Sequence, residues 1–180
     1  KMVFIRILRQ RQKLVEYNTI EDAVDLIKRC GRIVVLCGAG ISVSCGIPDF
    51  RSKDGIYAIL ARENRYELDD PSDMFDKETF LRDPNMFYSF AHSIYPANFE
   101  PSPSHRFVRE IEKRNKLLRM YSQNIDTLEQ KAGIERVIQC HGSFASATCT
   151  DPRCGYRMDG KEIRDDILAK RVPVCPKCEE

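Results

Sequence analysis

One junction limits the folds open to this chain more than any other feature. The apolar run Ile33-Val34-Val35-Leu36-Cys37 passes directly into Gly38-Ala39-Gly40. Such a run, apolar on both sides, reads as a short strand buried in a parallel sheet. Glycines straight after a strand let the backbone turn tightly and approach a phosphate, with the N–H groups of a following helix as an anion site. Ser42 adds a hydroxyl to that turn. The pattern then departs from the dinucleotide fingerprint of hydride-transferring enzymes. Val43 stands where the third glycine belongs, and no second strand ends in an acid about twenty residues on. Instead comes Pro48-Asp49-Phe50-Arg51, which combines a rigid turn, a carboxylate, an aromatic plate and a cation. Hydride transfer needs none of these here; cleavage of a nicotinamide–ribose bond can use all of them.

The flanking sequence supports a parallel α/β sheet. Thr19 opens a capping-box-like start, and Ile20, Ala23, Val24 and Ile27 recur at helical spacing until Gly31 can close the helix. Residues 52–83 read as charged and irregular, with turn signals at Asp54-Gly55 and Asp70-Pro71. Phe80, Phe87, Phe90 and Ile94 imply short amphipathic helices interrupted at Pro84, and Ser102-Pro103 an N-cap with proline at the first helical position. Leu117–Ser122 and Arg136–Cys140 read as further strands, separated by a short helix from Thr127 to Ala132. Alternating strands and helices give a doubly wound, Rossmann-like parallel sheet. Ligands bind such sheets at the carboxyl ends of the strands. Residues 38–51, 123–126 and His141-Gly142 all fall there. A boundary near Phe144 separates residues 19–143 from a small module at 144–180, and 1–18 form a basic N-terminal extension.

The cysteines divide into two sets. Cys30, Cys37, Cys45 and Cys140 are scattered among apolar neighbours and read as small buried or loop residues. Cys149-x4-Cys154 and Cys175-x2-Cys178 instead supply four thiolates on two turns stiffened by Pro152, Pro173 and Pro176. Four thiolates suit a tetrahedral structural Zn2+ site with no open position; disulfides are the alternative. Without a secretory pattern at the start, reduced thiols inside the cell are expected. No apolar run approaches the ~20 residues of a membrane span, so no membrane association is expected. A formal charge of +2 gives no reason to expect direct nucleic-acid binding. Lys1, Arg6, Arg9, Arg11 and Lys13 all precede the first acid, Glu16, and read as a solvated helix face or a docking arm.

Gly38-Ala-Gly-Ile-Ser42, Gly46-Ile-Pro-Asp-Phe-Arg-Ser52, Asp54-Gly-Ile-Tyr57, Tyr121-Ser-Gln-Asn-Ile-Asp126 and Cys140-His-Gly142, with the cysteine pairs after them, resemble the sirtuins. These are NAD-dependent protein lysine deacylases. The resemblance runs from about Thr19 to Cys178 and is closest to the nuclear deacetylase branch. It implies that Gly38, Ala39 and Gly40 pack against the NAD diphosphate, with Ser42 and Arg51 near the phosphates. Ile47, Pro48 and Asp49 join the cofactor site, and Phe50 lies beside the nicotinamide ribose. Tyr57 belongs to the mobile cofactor-binding loop, Gln123 and Asn124 contact ribose and ordered water, and Ile125 and Asp126 hold the carboxamide. His141 is the expected general base, since an imidazole can take up a proton near physiological pH; Asn124 is the second expected catalytic residue. His92 and His105 read as structural.

By the same resemblance, the acyl-lysine oxygen displaces nicotinamide, and His141 helps a ribose hydroxyl continue the transfer to O-acetyl-ADP-ribose. The implied partners are acetyl-lysine proteins, histones or transcription factors, with nuclear placement and cytoplasmic residence left open. A full sirtuin continues beyond Glu180 with further sheet and peptide-clamp segments. The chain alone is therefore expected to expose apolar sheet edges, to be poorly stable and to be nearly inactive. Two rival readings remain: a protein ADP-ribosyltransferase sharing the cofactor, and a non-catalytic zinc-ribbon interaction module. A dehydrogenase is disfavoured by the missing glycine and acid.

Overall fold

The computed structural model describes residues 14–63, 68, 70–96 and 99–179. Lys1, Arg6, Arg9, Arg11 and Lys13, the cations of the expected basic extension, lie outside them. A parallel sheet carries the fold, in the order β1 (Ile33–Cys37), β2 (Leu117–Ser122), β3 (Val137–Gln139). The register sets Cys37 opposite Ser122 and Ser122 opposite Gln139, so the three carboxyl ends finish level. Backbone bonds extend the alignment past the strands: Gln123 N–H donates to the Cys37 carbonyl (3.0 Å) and Cys140 N–H to that of Ser122 (2.8 Å). The architecture is the expected parallel α/β sheet with a small cysteine-bearing module.

Several helices start where a side chain satisfies their orphan N–H groups. Helix α1 (Ile20–Arg29) begins at a capping box in which Thr19 and Asp22 exchange hydrogen bonds. Its end differs from expectation: Cys30 is an extended C-cap and Gly31 is not a left-handed one. The glycine turn leads into α2 (Gly40–Val43), only four residues long. The described residues between 52 and 83 hold more helix than their composition implied, and Ile56 and Leu60 provide an apolar stripe. They hold α3 (Ile56–Glu63), a 3-10 turn at Pro71–Phe75 and α4 (Lys77–Arg82). Pro84 then opens α5 (Pro84–Ala91), capped by Asp83.

Helix α6 (Pro103–Lys113) begins at Ser102, whose hydroxyl lies 2.8 Å from His105 Nδ1. Burial holds that imidazole below the ordinary histidine range against the nearby charge of Asp126, so His105 is a neutral capping ring. The short helix between β2 and β3 is α7 (Leu128–Lys131). Beyond it a hairpin, β4 (Ser146–Thr148) with β5 (Arg157–Asp159), and α8 (Arg164–Leu168) frame the cysteines.

Val108 and Ile111 of α6 pack on Leu117, Met120 and Ile134, covering one face of the sheet. The other face departs from the two-sided burial expected of β1. Val34 and Leu36 remain 56% and 70% exposed, aligned with the exposed Tyr121 and Ile138. Their apolar character belongs to a sheet face that no described element covers. Cys30 and Cys140 are likewise exposed rather than buried, and Cys140 forms an isolated bridge with Gly142 instead of extending β3. A second cluster, Ile56, Leu60, Met74, Phe90 and Ile94, joins α3 to α5. A third, Ala91, Tyr95 and Ile167, seats α8 on α5, with Phe144 packed against both.

Glu112 ties α6 to the turn before β3. It accepts N–H bonds from Glu135 (3.1 Å) and Arg136 (2.7 Å) and one from the Arg109 guanidinium (2.6 Å). Desolvation pushes its pKa up, but the two backbone donors and Arg109 outweigh it and hold the carboxyl below its ordinary value. A carboxyl depressed in the folded state contributes stability present above its unfolded pKa and lost as pH falls through the folded one. Melting temperatures measured from neutral pH to about pH 3 should fall more steeply for the wild type than for Glu112→Gln. Parallel curves would contradict this role.

Candidate functional site

The level ends of β1, β2 and β3 open onto a cavity of about 790 Å³, within the roughly 300–1,000 Å³ usual for ligand sites. Ala39 and Gly40 line it from the first loop, Asp49, Phe50, Arg51 and Tyr57 from the segment that follows, Gln123, Asn124 and Ile125 from the loop after β2, and His141 from the loop after β3. Ser42, Ile47, Pro48 and Asp126 lie instead around an adjoining cavity of about 30 Å³, room for about one water. Ala39, Phe50, Asn124 and Ile125 border both. Gly38 borders neither; its carbonyl accepts a bond from the Asn124 amide (3.2 Å). The expected residues are thus gathered, but on two sides of a partition that includes Phe50.

The glycine turn keeps some of its donors for itself. Ile41 N–H donates to the Gly38 carbonyl and Ser42 N–H to that of Ala39. With a helix of only four residues behind it, the turn offers a weaker anion site than the sequence implied. A Cβ built on Gly40 meets nothing within 4 Å, so the backbone there stands open to a ligand. Asp49 shapes its own loop: its Oδ1 accepts from Ser52 N (2.8 Å) and Arg51 N (3.1 Å), and its carbonyl from Ile56 N (2.7 Å). The Ser52 donors first, then Arg51 N–H, hold the Asp49 carboxyl below its ordinary value against desolvation. Gly55 is required for this loop, since a Cβ there would lie 2.6 Å from both the Asp49 carbonyl and its Oδ1.

Asn124 is 5% exposed and uses both amide hydrogens, one to the Gly38 carbonyl and one to Ser42 Oγ (3.2 Å each). What remains for a ligand is its carbonyl oxygen, an acceptor for a hydroxyl or water. The following Asp126 caps α7 through Leu128 N (3.1 Å), and Thr127 between them holds a left-handed conformation (φ 57°). A β-branched residue there carries strain of order 1 kcal/mol or more, a sign of a constrained site.

His141 is exposed, with Nδ1 3.0 Å from the Gln123 carbonyl oxygen. That oxygen only accepts, so Nδ1 carries a proton, and in the neutral ring the lone pair is on Nε2. Gly142, at φ 78°, makes the turn that releases the chain from the sheet after the imidazole.

Sequence reasoning missed the apolar half of the cavity: Phe75, Phe80, Phe87, Tyr88, Phe144 and Ile167. Phe75 is the hub, with ring centroids 5.4 Å from Phe50, 6.3 Å from Phe87 and 6.2 Å from Phe90. The clustering of phenylalanines at 75–90 was the available signal. Ser122 and Glu129, which support Asn124 from behind, carried none.

The Sγ atoms of Cys149, Cys154, Cys175 and Cys178 all lie within 4.8 Å of one another, with Cys149–Cys178 at 3.5 Å and Cys154–Cys175 at 3.8 Å. A tetrahedron of sulfurs ~2.3 Å from a Zn2+ ion has edges of about 3.8 Å, so the cluster fits one zinc, and none of the four is in a disulfide. The Lys177 N–H, then that of Cys178, pull the Cys175 thiol down to about 7 against desolvation. Metal analysis should find one zinc per chain near neutral pH, falling towards acid as protons compete for thiolates. Cys175→Ser should lose the metal; full retention by that variant would contradict a four-thiolate site.

Comparison with known proteins agrees with this geometry. The Sir2 family model matches residues 38–180. The chain is 56% identical over 169 residues to the NAD-dependent protein deacetylase sirtuin-1 of Homo sapiens, covering 94% of this chain and 22% of that protein. It is 57% identical over 169 residues to the NAD-dependent protein deacetylase sir-2.1 of Caenorhabditis elegans, covering 94% and 27%. The NAD-dependent histone deacetylase sir2 of Schizosaccharomyces pombe is 49% identical over 180 residues, covering 99% and 37%. The chain thus spans between 22% and 37% of these relatives. A solved structure of a Sir2 enzyme matches with a TM-score of 0.72 at 34% identity, covering 89% of this chain and 60% of its own. Sequence and fold lead to one assignment: the chain belongs to the Sir2 family, the sirtuins.

Proposed function

We propose that this chain supplies the NAD-binding and zinc-holding part of an NAD-dependent protein lysine deacetylase. It acts on acetylated nuclear proteins, histones or transcription factors among them. Residues 19–143 bind the cofactor, and residues 144–180 form the zinc module that closes the cavity from the other side. The observation that carries this reading is that His141 and Gly40 line one cavity.

The protein groups divide the work by chemistry. Bound NAD supplies an electrophilic sugar carbon and a nicotinamide leaving group. Gly40, with Ala39, offers open backbone to the diphosphate, Gly38 shapes the turn behind them, Ser42 holds the Asn124 amide, and Arg51 adds the cation. Ile47, Pro48, Ile125 and Asp126 receive the nicotinamide end. Their cavity, about 30 Å³, is too small for that ring until the Phe50 side chain gives way, so Phe50 separates the leaving group from the ribose. Tyr57 packs 5.7 Å from Phe50 and follows its movement. Asn124 offers a carbonyl acceptor to a ribose hydroxyl or a water held with Gln123. His141 accepts a proton at Nε2 while its Nδ1–H stays on the Gln123 carbonyl. The aromatic half of the cavity excludes water from the reacting groups. Zinc holds the module together and takes no part in the chemistry.

In the full-length protein, His141→Ala should lower steady-state formation of O-acetyl-ADP-ribose from NAD and acetyl-lysine peptide on the order of a hundredfold without loss of zinc. O-acetyl-ADP-ribose is the expected product; ADP-ribose attached to protein would support a transferase instead, and unaltered activity would overturn the assignment of the base. Gly55→Ala should displace Asp49 and Arg51 and weaken NAD binding roughly tenfold or more at unchanged zinc content. Unaltered affinity would remove that loop from the cofactor site.

A further inference from the structure

Behind the cavity lies a buried carboxylate that the chemistry above does not use. Glu129, the second residue of α7, is 0% exposed, and Ser122 Oγ donates to its Oε1. Ser122, also 0% exposed, in turn accepts from the backbone N–H of Asn124 at 3.1 Å. The Asn124 side chain then reaches the Gly38 carbonyl and Ser42 Oγ. A single chain of hydrogen bonds therefore runs from α7, across the end of β2, to the glycine turn after β1. Each donor and acceptor has one sense: Ser122 gives its proton to Glu129 and so must receive from Asn124. Cys37 Sγ also lies 4.0 Å from the same Oε1, and Glu129 Oε2 has no hydrogen-bond partner among the described residues.

An acid in so buried a place is costly unless it fixes something. A purely apolar residue would pack there as well, but it would leave the Ser122 hydroxyl free to rotate. The Asn124 backbone would then lose its anchor next to the one residue that bridges the two strand-end loops. Burial raises the Glu129 carboxyl, partly opposed by the Ser122 bond, in keeping with a group set for geometry rather than for charge.

We propose that Glu129 is a positioning residue that sets Asn124 in the cavity through Ser122. This rests on the reading of Asn124 as part of a deacetylase site. It touches neither substrate nor cofactor; it acts by holding the register of the loop after β2.

The test uses the full-length protein, with NAD and an acetyl-lysine peptide as probes and nicotinamide release as readout. Glu129→Leu should lower kcat about tenfold, the effect of one lost hydrogen bond, with KM for NAD changed by less than about twofold. Glu129→Gln keeps an acceptor for Ser122 and should stay within about threefold of wild type. Ser122→Ala cuts the same chain while removing only a hydroxyl, so it serves even where Glu129→Leu does not fold. It should reproduce the kcat loss, and the double variant should be no worse than either single one. Wild-type kcat in folded Glu129→Leu or in Ser122→Ala, while His141→Ala is inactive, would overturn the proposal and leave the deacetylase reading standing. Additive losses in the double variant would also overturn it. A wild-type protein that releases no nicotinamide would overturn both.

Discussion

The parallel register of three short strands governs everything else in this molecule. Because Cys37, Ser122 and Gln139 finish level, the three loops that follow are delivered to one place. The bonds from Gln123 N–H to Cys37 and from Cys140 N–H to Ser122 carry that alignment into the loops themselves. A slip of one residue would turn each side chain to the opposite face. It would bury Tyr121 under α6, expose Met120, and carry Asn124 and His141 away from the glycine turn. The geometry of the candidate site is thus a consequence of backbone pairing, reinforced by the Glu129–Ser122–Asn124–Ser42 chain of hydrogen bonds, in which Asn124 takes part through both its backbone N–H and its side chain.

The cavity draws its opposite wall from a different source. The aromatic residues of the 3-10 turn and α5 form a cluster around Phe75, and Phe144 packs both against it and against the cluster that seats α8. Phe144 N–H also donates to the Ile125 carbonyl. The zinc module is therefore fastened to the same loop that presents Asn124 and Ile125. Where zinc holds the four thiolates, it stabilises the module's own turns. That stability reaches the cavity through Phe144 and Ile167 rather than through any bond to the reacting groups.

Much of this was legible in the sequence because the signals were local. Thr19 and Ser102-Pro103 marked helix starts through capping chemistry, Pro84 marked a break where the next helix in fact begins, and the spacing of the cysteine pairs marked a candidate metal site. Several positions were not legible. Val34 and Leu36 read as buried because apolar runs carry no record of what covers them. Helix α3 was hidden by the charges around Ile56 and Leu60. Gly31 was read as a cap from its identity alone, though the helix ended on an extended Cys30. The roles of Ser122 and Glu129 depend on contacts between segments that no spacing rule connects. The division of the expected site residues between a large cavity and a small one, with Phe50 between them, also emerged only in three dimensions.

The central claim is that three strand-end loops form a single cofactor site. Hydrogen–deuterium exchange of the full-length protein with and without NAD tests it most directly, because it reports on each loop separately. The account predicts that NAD slows exchange together in residues 38–51, 123–126 and 140–142. Protection confined to one of these segments, or absent from all three at saturating NAD, would contradict it.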